Sequence, residues 1–169
     1  MISIHRYLIH TIVIILLQVL IINNIQVNPL INPYIYILII LVLPFKINKT
    51  SLIFIGFLFG LIVDIFSDTY GLHAAATTLL AYVRPNLINL AYNKDSFEDG
   101  SYPSIRLMGF LMFILYIFLG TFIHHFSFFL LEVFSFNSFH ITISKILLNS
   151  VLSSICIILY YLIGFKHKR

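Results

Sequence analysis

Charge is scarce in this sequence. Only 9% of its 169 residues are charged, whereas 60% are hydrophobic, and the mean hydropathy is +1.03. Soluble domains carry roughly 25% charged residues, so this composition excludes a chain that folds mainly in water. The net charge of +4 is spread over loops and chain ends, and this excludes the clustered basic face of a nucleic-acid-binding protein. We predict an integral membrane protein in contact with the lipid bilayer, with residues 1–169 as a single transmembrane helical domain.

Cysteine is nearly missing as well. The single Cys156 lies in a hydrophobic run, which excludes an internal disulfide and a cysteine metal cluster. Near the N-terminus, His5 and Arg6 precede an apolar run over residues 8–22, as in a signal peptide. The run continues into the polar Asn23 and not into the small residues of a cleavage site. We therefore expect a retained first helix.

Apolar stretches divide the chain into six predicted spans. A membrane-crossing helix needs about 20 apolar residues, and the spans are predicted over residues 7–25, 30–45, 50–66, 72–91, 105–126 and 141–165. The second stretch is short and contains Pro33 and Pro44, so a re-entrant segment with five spans in total is the alternative. With six spans and a cytoplasmic N-terminus, nine of the ten Lys and Arg residues lie inside and Lys145 lies outside. The positive-inside rule therefore favours an all-α bundle of six transmembrane helices with both termini cytoplasmic.

Two connections between the predicted spans differ in character. The cytoplasmic loop over residues 92–104 contains Lys94, Asp95, Glu98 and Asp99, and we interpret it as a solvated loop. The outer connection over residues 127–140 is rich in phenylalanine. This composition predicts an interfacial segment on the outer leaflet, where it would meet lipid or a partner protein.

An acidic residue in an apolar helix gives the strongest functional signal. Asp64 follows Gly56 and Gly60 at intervals of four residues, so the three lie along one stripe of a helix. A carboxylate within a membrane span costs about 3 kcal/mol on insertion scales and therefore usually has a partner or a function. Small residues follow on the next helix, which predicts tight antiparallel packing of the two. The residues that we assign to helix packing or partner docking are Gly56, Gly60, Asp64, Gly71, His73, Ala74, Thr77 and Arg84.

Three interpretations of Asp64 remain open at this stage. It could cap the turn or the N–H groups of the next helix, dock a partner, or take part in a proton or ion relay. A hydrogen bond with His73 is plausible because both residues fall near the outer ends of their helices. We expect Asp68 to cap the helix that begins near Leu72, and Arg84 to extend its side chain to the cytoplasmic headgroups.

Other polar residues give weaker signals. His124, His125 and His140 suggest a metal site, but adjacent histidines point in different directions on a helix, and we interpret them as residues of the membrane edge. Asn149 and Ser153, on the last predicted helix, suggest hydrogen bonds within the core. The sequence shows no nucleophile–base pair, nucleotide loop or redox motif. We predict a protein that is not an enzyme and has no cofactor or metal.

One stretch of the sequence resembles a known family. The pattern Gly56-x3-Gly60-x3-Asp64, followed by Tyr70-Gly71-Leu72-His73-Ala74, resembles the signature region of the MreD family of bacterial rod shape-determining membrane proteins. The motif-level likeness covers about residues 52–84. The resemblance implies a non-enzymatic scaffold of the cell-wall elongation machinery in the cytoplasmic membrane. The implied partners are MreC and the MreB-linked complex with its wall polymerase and transpeptidase.

The resemblance also leaves an alternative function. The MreD family is distantly similar to the substrate-binding subunits of energy-coupling-factor vitamin transporters, which share a six-helix fold. A small-molecule-binding subunit of a vitamin or metal transporter is therefore the second hypothesis. Those subunits usually carry Ala-x3-Ala on the first helix, and residues 11–22 of this chain contain no alanine, which counts against transport.

Overall fold

The fold is all-α, as predicted. The computed structural model of the chain describes residues 4–24, 31–92, 100–133 and 139–165, and within these ranges it contains helices and turns but no strand. The helices are α1 (Ile4–Leu16), α2 (Ile37–Leu41), α3 (Lys49–Ser67), α4 (Leu72–Ala91), α5 (Ile105–Met108), α6 (Phe110–Val133) and α7 (Phe139–Gly164). After α1 the helical path continues through a π-helical turn, Leu17–Ile21, and a 3-10 turn, Ile22–Asn24.

Four segments of the described chain are long and apolar enough to cross a membrane. They are Tyr7–Asn24, Lys49–Ser67, Phe110–Val133 and Phe139–Gly164, and each overlaps one of the predicted spans. The helix α4 has the predicted bounds and is 20 residues long, but it is less apolar because it includes His73, Arg84 and Pro85. The membrane character of the chain is thus visible in four helices.

The predicted second span does not form a membrane-length helix. Within residues 31–45 the helical part is α2, which has five residues. Pro44 limits this helix at its C-terminal end, because proline has no N–H group and restricts the residue before it. The whole run Tyr34–Leu43 is nevertheless buried, with exposed fractions of 5% or less. We call residues 31–44 the central segment; its helix α2 contacts α3, α4 and α6.

The direction of each element follows from contacts at its ends. The central segment begins beside the first turn of α4, where Tyr36 meets His73, and ends beside Arg84, which lies further along α4. It therefore runs parallel to α4 and opposite to α3. The 3-10 turn that follows α1 lies beside the end of α3, because Asn23 Nδ2 donates to Ser67 Oγ at 2.8 Å. Direction thus alternates through α1, the central segment, α3 and α4.

The predicted fifth span is divided into two helices. Gly109 has φ +79°, a conformation that glycine adopts without strain, and it separates α5 from α6. Beyond the predicted end at residue 126, α6 continues to Val133. Phe128 and Phe129 are each 2% exposed, so the prediction that an interfacial segment begins at residue 127 is wrong. Residues 134–138 of that connection and residues 93–99 of the cytoplasmic loop lie outside the described residues.

Candidate functional site

The helices α3 and α4 approach each other closely at two glycines. A Cβ atom added at Gly60 would lie 2.4 Å from the Cα atom of Ala74, and one added at Gly56 would lie 2.8 Å from the Cβ atom of Ala81. Protein Cβ atoms essentially never make contacts this short, so a larger residue would require a shift of the two helices. This is the tight antiparallel packing that the small-residue spacing predicts. Both glycines are therefore packed within the chain itself.

Asp64 caps the N-terminus of α4. Its Oδ1 atom accepts the backbone N–H of His73 at 3.0 Å, and Oδ2 accepts the backbone N–H of Ala74 at 2.8 Å. Thr69 Oγ1 also donates to Oδ1. The first N–H groups of a helix have no carbonyl partner within it, and the positive end of the helix dipole favours a carboxylate. The structure thus shows the capping interpretation of Asp64, and its contact with His73 is to the backbone and not to the ring.

The turn between α3 and α4 departs from the predicted cap. Asp68 is exposed and ends α3 in the left-handed region with φ +54°, so the prediction that it caps α4 is wrong. Its position in the turn explains this, since the carboxylate one helical turn earlier, on Asp64, reaches the free N–H groups. Gly71 occupies the N-cap position with φ +92°, which favours glycine. Among the described residues, no atom lies within 4 Å of a Cβ built at Gly71, so its role is conformational.

A buried polar cluster joins the central segment to α4 and α6. It consists of Tyr36, His73, Thr77 and His124, and we call it the Tyr36 cluster. The Tyr36 hydroxyl lies 3.0 Å from His73 Nδ1, 3.1 Å from Thr77 Oγ1 and 2.5 Å from His124 Nε2. A hydroxyl donates one hydrogen bond and has two lone pairs to accept others, so three contacts use its full capacity. Each of the four side chains is at most 1% exposed.

Tyr34 joins the central segment to α6 and α7. Its backbone N–H donates to Ser153 Oγ at 2.8 Å, and its ring stacks on His125 with ring centroids 5.2 Å apart. His125 Nδ1 lies 2.8 Å from the carbonyl oxygen of Thr121, and Nε2 lies 3.2 Å from Ser153 Oγ. Because a carbonyl can only accept, Nδ1 of a neutral ring carries the proton and Nε2 accepts from Ser153. His124 and His125 are both 0% exposed, so their rings are enclosed by the helices, and their position at the membrane edge stays a prediction.

Arg84 forms a second buried site with the end of the central segment. The guanidinium Nε donates to the hydroxyl of Tyr116 at 3.2 Å, and Nη1 donates to the carbonyl oxygen of Pro44 at 3.4 Å. Nη2 donates to the carbonyl oxygens of Leu41 and Leu43. We call these five residues the Arg84 site. Arg84 is 0% exposed, so the predicted extension to the headgroups is wrong.

The electrostatics of the Arg84 site explain why the arginine is inside. Within the described part of the chain, the acceptors of its guanidinium are three carbonyls and one hydroxyl, all neutral. Burying a cation is costly unless its donors are satisfied. Because α2 ends at Leu41, the carbonyls that follow lack helical N–H partners. The planar guanidinium carries five donors in a fixed fork and can serve all four acceptors, whereas a lysine ammonium has three donors on a single nitrogen.

Side chains of α1 and its continuation hold the rest of the central segment. The Gln18 side chain accepts the backbone N–H of Ile35 at 2.7 Å and donates to the carbonyl oxygen of Pro33 at 3.2 Å. The hydroxyl of Tyr7 donates to the carbonyl oxygen of Ile39 at 2.9 Å. Backbone groups that no helix satisfies are thus bonded to side chains, as burial away from water demands.

The sequence analysis identifies some of the buried polar residues and does not identify others. Asn149 was expected to hydrogen-bond within the core, and its Oδ1 accepts the backbone N–H of Asn32 at 2.6 Å. Tyr36, Gln18 and Tyr116 were not singled out. Their signal was a polar group in the middle of a predicted span, which usually has a partner inside the protein. A docking role for the residues of the hairpin, which α3 and α4 form, stays a prediction.

Together these contacts define a helical bundle that encloses an unwound segment. No group of three or more His, Cys, Asp or Glu side chains within the described ranges could hold a metal ion. The buried histidine rings instead contact Tyr36, Ser153 or a backbone carbonyl. No protein-family model, curated protein or solved structure matches the chain.

Proposed function

We propose that the chain is a non-enzymatic membrane scaffold of the bacterial cell-wall elongation machinery. It would lie in the cytoplasmic membrane and help to maintain rod shape by binding MreC and the MreB-linked complex with its wall polymerase and transpeptidase. The partners come from the resemblance of residues 52–84 to the MreD family, and the geometry supports the scaffold role.

The observation that carries the proposal is the use made of the buried polar side chains. The Tyr36 cluster and the Arg84 site each join the central segment to α4 and α6, and so they fix the shape of the bundle. Tight packing at Gly56 and Gly60 does the same for the hairpin of α3 and α4. A rigid interior with apolar outer faces suits a protein that holds helices of other proteins in position.

We infer that the chain crosses the membrane six times, with the central segment as the second crossing. Its ends lie beside different turns of α4, and its direction alternates with those of α1 and α3, which supports this path. Irregular backbone at membrane depth is tolerated where protein encloses it, and the run Tyr34–Leu43 is enclosed. Both termini then lie on the cytoplasmic side.

The outer faces of the bundle offer surfaces for partners. Phe54 on α3 is 61% exposed, Leu111 on α6 is 73% exposed and Ile163 on α7 is 76% exposed. In a bilayer such faces meet lipid tails or the helices of other proteins, and van der Waals packing decides between them.

Co-purification and complementation test the scaffold role together. The tagged chain is expressed in rod-shaped bacteria that have become round through loss of their own MreD protein. We expect recovery of rods, and co-purification of MreC with the wall polymerase and transpeptidase in mild detergent. A folded, membrane-inserted chain that retains none of these proteins and restores no shape would contradict the proposal.

The variant Asp64→Asn separates the cap from a docking role of the charge. Asparagine keeps one acceptor oxygen but replaces the other with an NH2 group that cannot accept the N–H of α4, so we expect a loss of about 1–3 kcal/mol of stability and rods that persist. Asp68→Asn, at an exposed acidic position in the same turn, is the matched control. Loss of rods with Asp64→Asn at normal levels of folded protein would assign the carboxylate to docking.

Ligand screening tests the transporter alternative. A thermal-shift screen of the purified chain against vitamins and divalent metal ions should leave its midpoint unchanged if the chain is a scaffold. A concentration-dependent rise in the midpoint with one vitamin or metal ion would favour a substrate-binding subunit and contradict the proposal.

A further inference from the structure

An open apolar groove runs along the outer side of the hairpin. It has a volume of about 910 Å³ and lies between α3 and α4. Phe57, Leu61 and Ile65 of α3 form its wall, and Ala75 and Thr78 of α4 lie across from them. Since α3 is apolar and long enough to cross a membrane, the groove opens toward the hydrocarbon region of the bilayer. Whatever fills it must offer an apolar surface.

The two ends of the groove differ in charge. At one end lies Tyr82, and Lys49 Nζ is 3.9 Å from the centroid of its ring. At the other end lie the exposed Asp68 and Tyr70, which is 99% exposed. An anionic headgroup is attracted to the lysine end and repelled by the aspartate end. The groove is therefore complementary to a ligand with a negative head and an apolar tail.

The length of the groove also fits such a ligand. The twelve residues from Tyr70 to Tyr82 correspond to about 18 Å at the helical rise of about 1.5 Å per residue. One leaflet of a bilayer has a hydrocarbon thickness of about 15 Å, half of the whole core. An acyl chain whose headgroup lies beside Lys49 would thus extend along most of the groove.

We propose that this groove binds an anionic phospholipid, with the phosphate beside Lys49 and Tyr82 and an acyl chain along Phe57, Leu61 and Ala75. The lysine stem and the tyrosine ring both suit the boundary between hydrocarbon and water, because each combines an apolar body with a polar tip. The proposal is independent of the scaffold role, since it requires no partner protein.

Tryptophan fluorescence can test the proposal directly. The sequence contains no tryptophan, so one introduced residue is an unambiguous reporter. Phe57→Trp places the reporter in the groove, and Phe54→Trp places it on the same helix at an exposed position outside the groove lining.

The full chain is reconstituted in phosphatidylcholine vesicles that contain brominated phosphatidylglycerol or brominated phosphatidylcholine, and quenching gives the relative binding constant of the two lipids. We expect about a fivefold preference for phosphatidylglycerol with Phe57→Trp, the size typical of one basic side chain near anionic lipid, and no preference with Phe54→Trp.

Substitutions at the lysine end assign the preference to the headgroup contact. In the Phe57→Trp background, Lys49→Gln should abolish it, whereas Lys49→Arg should retain it because the charge persists. Equal quenching by the two lipids with Phe57→Trp, or an unchanged preference with Lys49→Gln, would overturn the proposal. Quenching by both lipids with Phe54→Trp and by neither with Phe57→Trp would also overturn it, because a protein surface would then occupy the groove.

Discussion

The hairpin and the central segment both pack closely within the bundle, but their backbone polar groups are satisfied differently. In the hairpin, α3 and α4 satisfy their own N–H and carbonyl groups, and Gly56 and Gly60 let the two helices touch. In the central segment, five residues are helical, and side chains from α1, α4, α6 and α7 bind much of the remaining backbone. Tyr36 lies near the start of the central segment, and Arg84 binds the end of this segment.

The difference shows two structural roles that buried polar residues can have in a membrane protein. In the hairpin a single carboxylate, Asp64, binds two N–H groups at a helix end. Around the central segment, Arg84, Gln18 and Ser153 bind backbone groups that have lost their helical partners. Both uses lower the cost of burying backbone polar groups. Neither requires a substrate.

Removing the guanidinium should break the central segment and have the largest effect. Arg84→Met fills a similar volume but leaves the carbonyl oxygens of Leu43 and Pro44 without their donor. Each buried unsatisfied group costs about 1–3 kcal/mol, so we expect a loss of about 3 kcal/mol in the free energy of unfolding. Reversible unfolding by sodium dodecyl sulfate in mixed micelles measures it. Arg106→Met, at an exposed arginine, is the control, and equal stability of the two variants would contradict the role of Arg84.

Adding one methyl group to the hairpin should have the next largest effect. Gly60→Ala places a Cβ atom 2.4 Å from the backbone of Ala74, and overpacking of this kind costs about 1–3 kcal/mol. Gly120→Ala is a matched control, because its Cβ would meet the flexible side-chain end of Leu41 at 2.7 Å. The gain in helix propensity is the same for both variants. If Gly120→Ala destabilises the chain as much as Gly60→Ala, backbone contact is not what limits the hairpin.

Removing the Tyr36 hydroxyl should have the smallest of the three effects on the free energy of unfolding. Tyr36→Phe keeps the ring and removes a hydrogen-bond partner from His73, Thr77 and His124, so we expect a loss of about 1–2 kcal/mol. Tyr82→Phe, at a tyrosine that is 51% exposed, should change stability by less than about 0.5 kcal/mol. The same unfolding titration compares them. An equal effect of both variants would show that the Tyr36 hydroxyl does not stabilise the fold.

The sequence predicts the hairpin well because its signals are local. The bounds of α4 follow from the turn before Leu72 and the polar residues after Ala91, and the packing follows from the four-residue spacing of Gly56, Gly60 and Asp64. The central segment is different because its partners are distant in sequence. Asn32 meets Asn149 and Tyr34 meets Ser153, contacts that join residues 117 and 119 positions apart.

Local patterns also explain why the sequence predicts an Arg84 side chain that extends to the headgroups and not one that is buried in the bundle. An arginine before a proline near a helix end usually extends to the headgroups. Here the unpaired carbonyls of Leu41, Leu43 and Pro44 form an internal site for it, and their sequence, rich in leucine and isoleucine, looks like part of a helix. The burial of Arg84 follows from that unwinding, which the short apolar stretch between Pro33 and Pro44 did not reveal.

Hydrogen exchange in lipid nanodiscs tests most directly whether side chains hold the central segment. We compare the chain with its Arg84→Met variant and follow amide exchange in residues 37–43 and in residues 53–64 of α3. We expect faster exchange in residues 37–43 of the variant and unchanged exchange in α3, because the polar groups of the α3 backbone are satisfied within the helix. Unchanged exchange in residues 37–43, or equal acceleration in both regions, would contradict it.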